Sequence, residues 1–197
     1  RYGLVWEEHE EAVDVMMRDN IPVFTEVKER EICMVPGEDY NFLLEGDNLH
    51  SLHLLEKTHR GKVDVIYIDP PYNTKNKDFI YDDNMVGEDD DFKHSKWLSF
   101  MEKRLSCSHA LLNEEGIIFI SINDYEGAQV KLLCDELFGE NNFIGQLTWE
   151  STTQPTNAGV ARFALQKKVE SIYCYAKNKA AQEAWSAPSE KAKKIQE

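Results

Sequence analysis

Residues 63–75 read VDVIYIDPPYNTK. Val63, Val65, Ile66, Tyr67 and Ile68 run almost unbroken into Asp69, and two prolines, a tyrosine and an asparagine follow. A continuous apolar run closed by turn residues is the pattern of a central strand in a parallel sheet. A plain turn after such a strand needs the prolines but neither the carboxylate nor the ring. The stretch therefore predicts an α/β fold with a polar site at one strand end.

The neighbouring segments alternate in the same way. YNFLLEG (40–46) predicts a short strand, and DNLHSLHLLEKTHRG (47–61) a helix with Leu49, Leu52 and Leu55 on one face and Gly61 beyond its end. The polar stretch from Lys75 to Asp91 predicts a mobile loop. HSKWLSFMEKRLSCSHALL (94–112) carries Trp97, Phe100, Met101, Leu105, Ser108 and Leu112 at helical spacing. GIIFISI (116–122) is a second buried strand, EGAQVKLLCDELFG (126–139) a helix closed by Gly139, and FIGQLTWES (143–151) and ESIYCYAKN (170–178) two further strands. Strand, helix, strand, helix, strand implies α/β units with right-handed crossovers. Residues 180–197 are rich in Ala, Lys and Glu and have little to bury.

Composition narrows the class. The 197 residues are 42% hydrophobic, enough for a core, and no apolar run has the length of a membrane span. The chain starts at Arg1, so it is expected to be part of a longer protein. Cys33, Cys107, Cys134 and Cys174 form no CxxC, which argues against a zinc site or a disulfide framework and fits a reducing cytoplasm. The net charge of −14 is unevenly placed. Residues 151–197 hold 8 Lys and Arg against 4 Asp and Glu, whereas residues 1–150 hold 14 against 32. A polyanion is therefore repelled by most of the surface and accepted only locally. A solvated acidic face is the plainer reading of the same numbers.

Ligands of parallel sheets sit beyond the carboxyl ends of the strands, where Asp69 falls. Pro70 and Pro71 fix φ and contribute no N–H, so the local carbonyls stay available as acceptors. Tyr72 adds a flat ring. Two acceptors beside one ring suit an exocyclic amino group on an aromatic heterocycle. A rigid strand-to-loop turn with Tyr72 capping the core is the structural alternative.

DPPY followed by Asn73 and Thr74 resembles the catalytic motif of amino-methylating DNA methyltransferases. YGLVWEEHEE, GDNLHSLHLL, SKWLSFMEKRL, GIIFISIND, LCDELFGENNFIG and QPTNAGVARF with ESIYCYAKN follow in the order seen in Mod subunits of type III restriction–modification systems, of the permuted β class. The resemblance covers roughly residues 2 to 178. It implies an α/β fold: a partial doubly wound, Rossmann-like, mostly parallel sheet with flanking helices. Residues 1–39 would be an amino-terminal extension, 40–178 a partial catalytic domain, and 179–197 a charged tail or the start of a further segment. The implied activity is methylation of adenine's amino group in double-stranded DNA, with S-adenosylmethionine as cofactor. The implied partners are a restriction (Res) subunit and a second Mod copy, in the cytoplasm, with no metal.

One departure stands out. The family binds S-adenosylmethionine through a glycine-rich loop, but no two of the ten glycines here are spaced G-x-G. The chain is thus expected to lack that loop and the target-recognition domain, and to be inactive alone. A half-sheet with an open edge is also expected to self-associate.

By the resemblance, Asp69, Pro70, Pro71 and Tyr72 are catalytic, and Asp47, Asn48 and Asp69 lie near the cofactor. Asp47 is equally read as a helix N-cap, with Asn48 or Ser51 sharing the job. Tyr72, Asn73, Thr74, Asn123 and Asp124 are the substrate-contact candidates. Asn73 and Thr74 alternatively brace the turn. Ser121, Asn123 and Asp124 alternatively cap the following helix. Lys75 and Lys77 are possible phosphate contacts, and Thr153 to Arg162, with Asn157 and Gly159, either meet the flipped nucleotide or form a hairpin turn. His50 and His53 read as surface positions, and Trp6, Trp97 and Trp149 as packing residues. Two other readings stand beside adenine methylation: a cytosine amino-methyltransferase, and a non-catalytic module that docks on DNA or on another subunit.

Overall fold

The computed structural model describes residues 5–32, 41–74, 79–81, 84–85, 90–150, 169–183 and 185. The element order is α1 (Ala12–Asp19), α2 (Asn48–His59), β1 (Val63–Ile68), β2 (Ile80–Tyr81), β3 (Asn84–Met85), α3 (Lys93–Leu111), β4 (Leu112–Ile122), α4 (Gly127–Cys134), β5 (Phe143–Glu150) and β6 (Val169–Ala176). Four strands form one sheet in the order β1-β4-β6-β5. β1 and β4 are parallel, joined through α3, while β6 runs antiparallel to both β4 and β5. The α/β class is as expected. The sheet is mixed rather than mostly parallel, because β5 and β6 form an antiparallel pair that meets β4 through β6.

Alternation along β4 explains how the core forms. Ile118, Ile120 and Ile122 point to one face and are fully buried, and Ile66 and Ile68 of β1 join them there. Trp97, Leu98, Met101 and Leu105 of α3 cover that face, with Val130, Leu133 and Cys134 of α4 and Phe138 beyond it. The register places Val65, Tyr67, Leu147 and Trp149 on the opposite face, where they stay more than half exposed. Cys174 and Ala176 of β6, which the register puts on that same face, are buried. Gly116 lets β4 start beside β1: a Cβ there would sit 2.9 Å from the Val63 carbonyl oxygen. At Gly139, φ is +89°, which closes the π-helical turn Asp135–Gly139 that prolongs α4.

Several expectations need correction. Residues 41–46 join no ladder of the sheet, and Phe42 and Leu43 are 80% and 92% exposed. The apolar content there reads as a strand, but a strand also needs a neighbour to pair with. Within the stretch expected to be a loop, β2 pairs antiparallel with β3, and Phe79 is buried with its ring edge-on to Phe100. The segment around α1, for which the sequence gives no contact, is fastened to α3. Glu11 makes a bidentate, buried ion pair with Arg104 of α3, and Asp14 pairs with Lys103. Lys75, Lys77, the Thr153–Arg162 stretch and residues 186–197 lie outside the described residues.

Candidate functional site

Asp69 stands one residue beyond the end of β1 and is exposed. No basic side chain pairs with it among the described residues. Its neighbour is Tyr72, whose hydroxyl donates to Glu170 Oε2 on β6 at 3.5 Å. Burial, followed by the nearby Asp69 carboxylate, raises the phenol pKa well above its ordinary value, so Tyr72 is neutral and a donor. The Tyr72 ring is partly buried and packs against the core. Its body is thus more anchored than a freely presented stacking platform.

The two proline carbonyls differ. The Trp97 indole N–H donates to the Pro71 carbonyl at 2.7 Å. Among the described residues no donor reaches the Pro70 carbonyl. Asp69, Pro70 and Tyr72 thus share one turn, with Pro71 held by Trp97. Trp97 reads as a packing residue in the sequence, and it is fully buried, yet its N–H also holds this turn.

Asn73 faces inward. It is buried, and its φ of +54° is in the left-handed region that Asn tolerates better than most residues. Its amide donates to Glu126 Oε1 at 2.5 Å and to the Lys93 carbonyl at 3.3 Å. This is the bracing role. Asn123 is buried too, and its Oδ1 accepts from the Tyr125 N–H at 2.9 Å, which is the turn-forming alternative. Asp124 is exposed. Ser121 bonds Tyr67 across the sheet at 2.8 Å.

The candidate cofactor residues are already engaged. Asp47 caps α2, with Oδ1 accepting from Leu49 N at 2.8 Å and His50 N at 3.4 Å. The Asn48 side-chain oxygen accepts from Arg104 Nε at 2.7 Å. A cavity of about 660 Å³ lies elsewhere, between α2 and α3, lined by His53, Glu56, Lys103 and Cys107 among others, and no residue from Asp69 to Thr74 lines it. Donor atoms of His53, Glu56 and Cys107 there lie within 4.8 Å of one another. Glu56 pairs with Arg60, however, and burial pushes the Cys107 thiol up to about 11, so it is protonated at neutral pH.

Sequence reasoning missed Glu126, His94 and Glu170 as neighbours of the motif. Glu126 is fully buried and bonds His94 Nδ1 at 2.7 Å as well as Asn73. A glutamate before a helix reads as a capping residue, and nothing local links it to a position 53 residues earlier.

A parallel pair of strands joined through a helix, with an antiparallel pair beside it, defines an α/β protein. Residues 63–197 match the DNA methylase family N6_N4_Mtase, and the chain belongs to that family. It is 37% identical to the EcoP15I Mod subunit of a type III restriction–modification enzyme from Escherichia coli, over 81% of this chain and 28% of the relative. It is 38% identical to the probable HindVI Mod subunit from Haemophilus influenzae, over 71% of this chain and 18% of the relative. The chain thus spans a fifth to a quarter or so of these curated relatives. Among solved structures it is similar to the cytosine-N4-specific PvuII DNA methyltransferase, with TM-score 0.48 and 13% identity, covering 65% of this chain and 47% of that one.

Proposed function

We infer that this chain is the amino-terminal catalytic part of an adenine-specific DNA methyltransferase of the type III Mod kind. The observation that carries the reading is Asp69, exposed beside the open Pro70 carbonyl and within reach of Tyr72, in a chain of the DNA methylase family. Family membership supports methylation of an amino group. Asp69 before the two prolines, where the cytosine enzymes tend to place serine, favours adenine over cytosine.

Adenine inside a duplex is out of reach and must be flipped out, at about a few kcal/mol. Its ring then lies along Tyr72, a contact worth about 1–3 kcal/mol where stacking is complete. One N–H of the amino group donates to the Pro70 carbonyl. The other donates to the Asp69 carboxylate. These two bonds draw the nitrogen toward a pyramidal shape and direct its lone pair away from the ring. As nitrogen gains positive charge, the Asp69 carboxylate stabilises it. Held orientation of this kind contributes up to about 7–11 kcal/mol. No covalent intermediate on the protein is involved, and no cysteine follows a proline here.

The methyl donor in this reading is S-adenosylmethionine. The described residues do not build its cradle: Asp47 and Asn48 serve the α2 cap and Arg104, and no glycines are spaced G-x-G. The cofactor loop, the DNA-reading region, the Res partner and a Mod homodimer belong, in this reading, to the longer protein. A docking module without catalysis is the second reading, favoured by the exposed apolar face of Val65, Tyr67, Leu147 and Trp149. Methyl transfer from S-adenosylmethionine to adenine-containing duplex, measured in the longer protein, decides between them. Asp69→Ala is expected to abolish transfer with the fold intact; near-normal turnover in that variant rejects the catalytic reading.

A further inference from the structure

Glu126 sits in the turn between β4 and α4 with no exposed side-chain surface. Its Oε1 accepts from the Asn73 amide at 2.5 Å and from His94 Nδ1 at 2.7 Å. Its Oε2 is buried with no hydrogen-bond partner among the described residues. The charged groups facing it are Lys93 and His94, both from the start of α3, while the β1 exit contributes the neutral Asn73 and α4 the neutral Gln129 near His94. A buried carboxylate with an orphaned oxygen is a poor way to stabilise a fold, because one acceptor has left water with nothing in exchange. Such a group calls for a reason beyond packing.

The reason lies one residue from Tyr72. Asn73 holds a left-handed backbone, and Glu126 together with the Lys93 carbonyl grips its side chain. The turn from Asp69 is therefore pinned at two points, at Pro71 by Trp97 and at Asn73 by Glu126. We propose that Glu126 is a positioning residue for the Asp69–Tyr72 acceptor edge. Its carboxylate clamps Asn73 and so fixes where Asp69 and the Pro70 carbonyl point. This rests on the reading of those two groups as the acceptors of the substrate amino group.

A merely structural role, in which Glu126 ties α4 to α3 through His94, predicts something different. The test uses the whole 197-residue chain, amide and indole NMR spectra, and thermal unfolding. Glu126→Gln keeps a carbonyl oxygen for Asn73 and should leave the Asn73 and Thr74 amides and the Trp97 indole signal in place. Glu126→Leu removes the acceptor and should shift those signals beyond their line widths, with a midpoint no lower than the parent. Glu126→Asp, which retracts the acceptor by one methylene, should shift them as well and serves if the leucine variant does not fold. His94→Ala should leave the Asn73 signals unmoved. Unchanged motif signals in the leucine or aspartate variant overturn the proposal. So does a leucine variant that folds with a lowered midpoint and signals displaced throughout α3 and α4. Methyl transfer does not enter this readout. An Asp69 variant that still transfers would defeat the functional reading and leave the clamp standing.

Discussion

The Trp97 indole N–H meets the Pro71 carbonyl at 2.7 Å, linking the first turns of α3 to the rigid exit of β1. The bond forms at the edge of the core: Trp97 is fully buried and Pro71 partly so. Trp97→Phe keeps an aromatic ring but leaves that carbonyl without its donor. An unpaired buried acceptor costs about 1–3 kcal/mol, to which the smaller ring adds a cavity. Urea unfolding of the chain is expected to show a loss of at least that size. A loss well under 1 kcal/mol would mean that water already serves the Pro71 carbonyl.

Tyr72 has two separable roles, and its two truncations should part them. The hydroxyl donates to Glu170 on β6, and the ring is proposed to face the substrate base. Tyr72→Phe removes the hydroxyl and keeps the ring, so methyl transfer by the longer protein should be retained. Tyr72→Ala removes the stacking surface as well. A stacking loss of about 1–3 kcal/mol corresponds to roughly a 5- to 150-fold fall in the specificity constant. Equal damage by both variants would assign the role to the hydroxyl and contradict the stacking account.

Glu126 gives a pH dependence of defined sign. Burial, outweighing the bonds from Asn73 and His94, raises its pKa above the ordinary 4.5. The folded chain therefore keeps this proton to higher pH than the unfolded chain does. The group's contribution to stability is complete below about pH 4.5 and is lost as pH rises through the folded value. Glu126→Gln cannot lose that proton. The midpoint difference, variant minus parent, should be close to zero below pH 4.5 and grow in the variant's favour toward neutrality. Asp90, whose pKa is lowered chiefly by its hydrogen bond to Lys96, pulls the other way but is common to both chains. A difference that shrinks toward neutral pH would reverse the assigned shift.

Most of the fold was legible because hydrophobic periodicity reports burial. β1, α3, β4, β5 and β6 each fall within a residue or a few of the positions that alternation or helical spacing predicts. Residues 41–46 show the limit of that signal: Phe42 and Leu43 supply the apolar content of a strand, but no ladder takes them in. α1 went unread because its anchors are polar, Glu11 to Arg104 and Asp14 to Lys103, and lie about ninety residues apart along the chain. The site divides in the same manner. Asp69 and Tyr72 are visible as a local motif, while Trp97, Glu126 and Glu170 reach it only through tertiary contacts that leave no local spacing.

The buried pair of Glu11 and Arg104 fixes α1 to the domain, and its removal should be asymmetric. Both side chains are 8% exposed, and the contact is bidentate at 2.8 and 3.0 Å. Arg104 also donates to Asn48 and to the Phe100 carbonyl, and its guanidinium lies 3.5 Å from the centre of the Phe100 ring. Glu11→Ala strands a buried cation, for which losses run to about 3–5 kcal/mol. The remaining partners of Arg104 place the expected loss toward the lower end. Arg104→Met in the same chain removes the stranded charge and fills its volume, so the double variant should recover most of the stability. Urea midpoints for the two single variants and the double variant measure this directly. If the double variant loses as much as the sum of the singles, the two residues act independently and the ion pair is not what holds α1 in place.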